Sequence, residues 1–337
     1  MESSLTESQI GNRNKHMKNQ FDEPIKGLTQ CVTRRGALKK FGFRLAPMAL
    51  ACFMLANQAQ ASAPAFTTVD YPGAGATLAV DINAKGQIVG RFVDGSGIHG
   101  WLLSGSNFTA IDLPGAVATR PRGINVVGDI VGHYVSQGQQ EHGFLLREGV
   151  FTTIDFPEAE QTTASGINDH GDVAGYYVDG KDRTHGFILV AGRFTAIDYP
   201  DSIFTEAWKV NNSGQVAGRY LGKDGNHHLY RLTNGSFESF DYPGAVETAP
   251  AAYSHAGGLN NLGDIVNTYA SGTPYGNLAN HNVYGNVHGL LMSGGAFASI
   301  DPPGALETVA CGINDSRQIV GVFTDANGKW HGYLLTP

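Results

Sequence analysis

The chain has 337 residues, a formal charge of −7 and 45 glycines, enough length for one large domain or two ordinary ones. Residues 1–61 hold nine of the 23 Lys and Arg and four of the 30 Asp and Glu, which leaves residues 62–337 with 14 basic and 26 acidic side chains, a net −12. Such a field repels nucleic acid and anionic lipid, so neither is an expected partner.

Residues 1–61 are polar and basic as far as TRRGALKKFGFR, apolar through LAPMALACFML, and end in ANQAQA. A basic n-region, an apolar run of 11 residues and an A-x-A site predict a cleavable export signal, with Ala61 the last residue lost. The run is shorter than the roughly 20 residues of a spanning helix, so no stable membrane insertion is expected after cleavage. Thr33-Arg34-Arg35-Gly36-Ala37-Leu38-Lys39 resembles the twin-arginine signal, with Ala37 where phenylalanine is usual. That resemblance implies a domain folded before export and working in the periplasm or outside the cell. An ordinary secretory signal with an incidental arginine pair is the competing reading, and Met17 is an alternative start. Cys31 and Cys52 fall inside the signal, so Cys311 has no intrachain disulfide partner and is expected to be a small buried strand residue.

Beyond the signal the chain repeats itself. Units begin at Phe66, Phe108, Phe151, Phe194, Phe237 and Phe297, with lengths of 42, 43, 43, 43, 60 and 41 residues. Each runs F-x-x-[IVF]-D-x-P, then Thr, then G-I-N-x-x-G-x-[IV]-[VA]-G-x-[YF], and finally H-G-[FWY]-L-L, with small departures. In the third unit TTID, ASGIN, DVAGYYV and HGFILV read as four short strands, and N-x-x-G reads as a hairpin turn with Gly in the left-handed position. A four-stranded sheet cannot bury both faces alone, but six around an axis can. An open solenoid would need polar capping repeats, which neither terminal unit offers. The chain opens on an FTTVD strand and ends at HGYLLTP without one. The expected fold is therefore all-β, a six-bladed β-propeller over residues 62–337, whose last blade is completed by Phe66–Asp70. A monomer is expected.

The repeat resembles the bacterial extracellular repeat family called HAF, after its His-Ala-Phe tripeptide. Here the tripeptide is His-Gly-Phe, His-Gly-Trp, His-Leu-Tyr, His-Gly-Leu or His-Gly-Tyr, alongside the family's G-I-N-x-x-G-x-V-V-G stretch. The likeness covers Phe66–Pro337. It implies export and a repeat architecture, and no reaction or catalytic residues.

A polar set recurs in every unit. Asp stands at 70, 112, 155, 198, 241 and 301, with Pro two residues on; Thr stands at 77, 119, 162, 205, 248 and 308. Asn stands at 83, 125, 168, 211, 260 and 314, and His at 99, 142, 185, 228, 288 and 331. A catalytic centre needs one converged set of groups, and six copies round a ring cannot all converge. The set is expected to be scaffold: Asp capping a turn, Thr bonding across it, Asn opening the hairpin and His donating to a carbonyl. No cofactor and no metal are expected. GAGATL at Gly73–Leu78 lacks the third glycine of a dinucleotide fingerprint, DANG at Asp325–Gly328 lacks later calcium ligands, and no Cys/His pair has zinc spacing.

Function should lie where the repeats disagree. The segments after Thr, taken as connections near the axis, read LAVD, RPRG, TASG, EAWK, APAAYSHAGG and VACG. They nominate Arg120, Arg122, Glu206, Trp208, Tyr253 and His255, with Glu247 and Glu307 just before Thr, as one asymmetric ligand pocket with an aromatic platform. A second variable row, Arg91, His133, Tyr176, Arg219, Thr268 and Val322, is expected to be structural. The longer fifth unit adds Tyr275 and Tyr284 in an uncharged insertion suited to a recognition loop. The favoured expectation is a non-catalytic exported module that binds a glycan, a small polar ligand or a protein. The alternative is a glycan-active hydrolase or lyase using Glu206, Glu247 or Glu307 as acid and base and Arg122 to hold a carboxylate.

Overall fold

The computed structural model describes residues 64–250, 257–272 and 286–337, together with the backbone of 274–278 and 281–284. The segment read as an export signal, and Tyr253 and His255, lie outside the described residues. Every element in the described residues is a strand or a turn, in a β-propeller arrangement.

Each antiparallel sheet takes three strands from one repeat and its outer strand from the start of the next, in chain order from inner to outer. The second repeat shows the pattern: Ala118–Ile124, Ile130–Val135, Glu141–Arg147 and Val150–Ile154 pair in sequence. The third and fourth repeats form separate four-stranded sheets, and the first is joined to the second by one parallel pair, Ile98 with Ala118. In the fifth repeat the inner strand is split into Glu247–Thr248 and Gly258–Leu259, both paired with Ile265–Ala270. With no repeat following it, the sheet of the sixth takes its outer strand from the start of the first. Ala65–Val69 pairs antiparallel with Trp330–Thr336, and His331 Nδ1 meets Asp70 at 2.7 Å.

The repeated residues explain themselves locally. In the third repeat Asn168 Oδ1 accepts the N–H groups of His170 and Asp172, and Gly171 takes φ 86° to close the hairpin. The same asparagine also reaches outward. Its Nδ2 donates to the carbonyl of Asn211, the matching residue of the next repeat, at 3.2 Å. Asn83, Asn125, Asn211 and Asn260 do likewise to their successors, and Asn314 donates back to Asn83 at 3.0 Å.

Thr accepts the N–H that follows Asp, as in Phe156 to Thr162 Oγ1 at 3.0 Å. In the sixth repeat Pro302 stands at that position and has no N–H to give. His departs from expectation: its Nδ1 meets a carboxylate, the Asp just after the outer strand, rather than a carbonyl. The six distances run from 2.7 to 3.0 Å. A carboxylate suits the site better because it faces solvent and accepts a charge-assisted bond. The His ring also stacks on the aromatic residue of the second strand, which in turn stacks on the residue after Asp, as in His228–Tyr220–Tyr199.

Between sheets the apolar rows interlock. Phe144 and Phe187 are fully buried, each edge-on to the outer-strand Phe151 or Phe194. The mid-strand glycine is required by the neighbouring strand and that ring together: a Cβ on Gly132 would collide with the Arg120 carbonyl oxygen and lie 2.8 Å from Phe144 Cε1. The fifth repeat carries Asn267 at this position, and its partner across the sheet is Leu290 instead of an aromatic ring.

Candidate functional site

Outside the fifth repeat, the segments after Thr are strand, not connection. Arg120 and Arg122 lie within the inner strand Ala118–Ile124, Glu206 and Trp208 within Thr205–Val210, and Glu307 within Glu307–Ile313. Glu247 lies in the short strand Glu247–Thr248. Each full inner strand carries a bulge two to four residues after Thr, for example between Pro121 and Gly123, which turns the following residues out of simple alternation. The inner strands also crowd together. A Cβ on Gly123 would lie 2.9 Å from Gly166 Cα, and one on Gly312 would lie 2.8 Å from Asp81 Cα.

That crowded row reads Asp81, Gly123, Gly166, Lys209, Gly258, Gly312 through the six repeats. Its two departures from glycine find each other. Lys209 Nζ lies 2.8 Å from Asp81 Oδ2 and donates to the Arg122 carbonyl at 2.9 Å, while the same Asp81 oxygen accepts the Ile124 N–H at 3.0 Å. Both side chains are about nine-tenths buried, 9% and 11% exposed. A charged crosslink thus joins the first, second and fourth repeats.

Next to it lies a polar cluster drawn from both variable rows. The register pairs Arg120 with His133, Thr163 with Tyr176 and Glu206 with Arg219 across the first two strands. Arg120 Nη1 is 3.3 Å from His133 Nε2, and Arg122 Nε is 3.3 Å from His133 Nδ1. Arg120 also reaches Glu141 Oε1 at 3.4 Å. Glu206 Oε2 takes the Arg219 Nε–H at 2.7 Å and the Trp208 Nε1–H at 2.9 Å. Arg219 further lies 5.5 Å from the Trp208 ring centroid, a cation–π contact. Glu247 Oε1 meets the backbone N–H and Nδ1 of His227 at 3.0 and 2.8 Å.

The electrostatics follow the crowding. Burial, then the charges of Arg120 and Arg122, hold the Arg91 guanidinium well below its usual range. Burial also lowers Arg120, against the pull of Glu141, and raises the Tyr176 phenol. Burial lowers His227 despite Glu247, and pushes the Cys311 thiol up to about 12, so Cys311 is the inert strand residue expected.

The structure therefore brings together Arg120, Arg122, Glu206 and Trp208, but not in the form expected. Trp208 is no open platform: it is 4% exposed and packs with Leu229, Ala249, Tyr269 and Leu290. Tyr275 and Tyr284 belong to a hairpin, Pro274–Leu278 with His281–Tyr284, inserted between the second and third strands of the fifth repeat. Sequence reasoning set aside Arg91, His133, Tyr176 and Arg219, which belong to the cluster, and missed the Asp81–Lys209 pairing. The signal for the latter was present: two opposite charges in a glycine row, three repeats apart. Elsewhere, a cavity of about 760 Å³ lies between the first and second sheets at the asparagine end, lined by Asp112, Val127, Arg147, Phe151 and His170 among others. No group of three or more metal-ligating side chains occurs among the described residues.

No family model matches the chain, and no curated protein matches it in sequence. Among solved structures it is similar to a mutant of the Aleuria aurantia lectin in complex with Fucα1-6GlcNAc, at 12% identity and a TM-score of 0.48, covering 77% of this chain and 91% of the lectin. It is also similar to TolB from Acinetobacter baumannii, at 13% identity and a TM-score of 0.48, covering 79% of this chain and 65% of TolB. A third is the Trypanosoma rangeli sialidase in complex with sialic acid, at 9% identity and a TM-score of 0.44, covering 82% of this chain and 59% of the sialidase. These are distant likenesses, and the reading of the site rests on its own residues.

Proposed function

We propose that the chain is an exported, non-catalytic binding module for a glycan or small polar ligand. In this reading it is a monomeric six-bladed propeller of HAF-type repeats that works in the periplasm or outside the cell after loss of residues 1–61. The asparagine cycle from Asn83 through Asn314 and back, and the pairing of Ala65–Val69 with Trp330–Thr336, support six blades and closure. The basic, apolar and A-x-A pattern of residues 1–61, with Arg34 and Arg35, supports export.

One observation carries the functional part. The repeated Asn, Asp and His are committed to scaffold contacts in all six units and Thr in five, whereas the inner strands of the second to fourth repeats gather Arg120, Arg122, His133, Tyr176, Glu206 and Arg219 at one place. Scaffold needs no such asymmetry; recognition of an asymmetric molecule does. Binding is favoured over glycan hydrolysis because Glu206 and Glu247 are tied to Arg219, Trp208 and His227. An unbiased glycan and small-molecule array, probed with wild type and with a variant whose residues 270–285 are shortened to the length of the other repeats, tests the reading. Hits with wild type that weaken in the variant are expected. Turnover of any polysaccharide would sink it.

A further inference from the structure

The two ends of the sheets differ in charge. One end carries the asparagine hairpins and the turns from third to outer strand. The other carries the turns from second to third strand and from each outer strand to the next inner one. Asparagine bonds from repeat to repeat put all six hairpins at one end, so the other turns share the opposite end. Among the described residues, the turns of that opposite end hold 14 acidic and four basic side chains. Most of these carboxylates face solvent. The turns of the asparagine end hold six acidic and two basic side chains, and two of the six, Asp129 and Asp264, are tied to Arg147 and Arg317.

Apolar side chains recur at this acidic end. The residue two before the repeated Thr is Val117, Ile203, Val246 or Leu306 in four repeats, and Gly75 or Glu160 in the other two. All four apolar side chains are exposed, Ile203 by 65% and Leu306 by 48%. Single exposed apolar residues are ordinary on a protein surface. These recur at one position, and in three consecutive repeats from the fourth to the sixth. The fold does not ask for them. The position serves the sheet through its backbone N–H, which Val246 and Leu306 donate to the Ala270 and Thr324 carbonyls at 2.8 Å. Gly75 and Glu160 make the same bond, to Val93 and Val178, at 2.9 Å. A residue without a side chain and a charged one therefore do the structural work equally well, and the apolar groups are left in water.

Apolar groups set among negative charges select a partner by both properties. A second copy of this end would meet its own sign, and so would anionic lipid. A neutral glycan leaves the charge unanswered. We propose that this end is a docking surface for a basic polypeptide segment that also carries apolar side chains. Its Lys and Arg answer the carboxylates of Glu158, Glu160 and Asp182, and its apolar groups cover Ile203, Val246 and Leu306. The negative field speeds encounter, and burial of the apolar groups holds the complex. This surface is independent of the ligand site proposed above and does not rest on it.

Three labelled peptides of equal length, titrated with the full chain and read by fluorescence anisotropy, test this: one of Lys and Leu, one with Ser for Leu, and one with Glu for Lys. The Lys/Leu peptide is expected to bind about tenfold or more tightly than either control, and to weaken as salt is raised. Ile203→Ser with Leu306→Ser is expected to raise its Kd about tenfold, and Glu160→Gln with Asp182→Asn to raise it severalfold at low salt. Val127→Ser with Leu262→Ser changes the exposed apolar residues of the asparagine end and is expected to leave Kd unchanged. All the substituted side chains are exposed, and melting curves check that the variants fold. Where one does not, the contrast among the three peptides on wild type decides. No binding of the Lys/Leu peptide, equal binding of the Lys/Ser peptide, or equal losses from the serine substitutions at both ends overturns the proposal. A dimer that Ile203→Ser and Leu306→Ser dissolve would give the apolar groups to a second copy, and binding to phosphatidylcholine vesicles in preference to the peptide would give them to a lipid surface; either result also overturns it.

Discussion

Replacing Lys209 with Met removes an ammonium and keeps most of the side-chain length. Asp81 would then be a buried carboxylate that keeps the Ile124 N–H but loses its counter-charge, and the Arg122 carbonyl would lose its ammonium partner. Breaking one side of a buried ion pair costs about 3–5 kcal/mol, mostly from the charge left behind. In a domain of this size each kcal/mol lowers the melting temperature by roughly 2–4 °C, so Lys209→Met should melt about 6–20 °C below wild type. Asp81→Asn should be costly for the mirror reason, leaving the Lys209 ammonium uncompensated. The double variant should recover part of the loss, since the amide that replaces the Asp81 carboxylate can still accept the Ile124 N–H through its oxygen. Urea unfolding of the four proteins at neutral pH gives the coupling free energy, expected at about 2–3 kcal/mol. A Lys209→Met protein as stable as wild type, or strictly additive single and double variants, would refute the crosslink.

Deleting Ala65–Val69 should expose the edge of Trp330–Thr336 and lower the melting temperature; an unchanged melting temperature contradicts the pairing. Asn168→Ala removes two turn contacts and the bond to the Asn211 carbonyl, and should cost about 2 kcal/mol in urea unfolding, whereas a neutral result denies the cycle any energetic role. His228 stands between Asp224 and Asp241, which raise it above 6.5 although burial works against its charge. A raised histidine contributes stability that is full below its unfolded value and fades as pH climbs through the folded one. His228→Gln should therefore cost more at pH 6 than at pH 8 in paired melting curves, by about 1 kcal/mol or less given solvent exposure; an equal cost at both would remove the charge from the account. Replacing Arg34 and Arg35 by Lys should strand the precursor in the cytoplasm, and normal secretion of that protein would show the pair to be incidental.

Features that depend on a few neighbouring residues were legible in the sequence. The Asn168–Gly171 hairpin, the Thr162 contact and the four strands per repeat follow from turn chemistry and alternation, and repetition multiplied each signal. The His–Asp pairing was misassigned to a carbonyl because the two residues, 13 apart, are joined by an outer hairpin that spacing alone does not orient. The cluster was only half legible. Arg120 and Glu206 stood out as departures, but their partners His133 and Arg219 lie across a bulged strand pair whose register is not written in local pattern. Trp208 was expected at the surface, yet the fifth repeat's chain crosses it so closely that a Cβ on Gly257 would collide with its ring. Contacts between repeats set these outcomes.

The strand Ala65–Val69 finds its partner only at the far end of the chain; His331 and Asp70 are 261 positions apart. Its docking must therefore wait until Trp330–Thr336 has been made, and contacts this distant in sequence form slowly. A nascent chain that lacks Trp330–Thr336 would present Ala65–Val69 as a loose segment open to proteolysis. The join would thus act as a check on synthesis: the sheet that holds Ala65–Val69 closes only in molecules in which Trp330–Thr336 has been made.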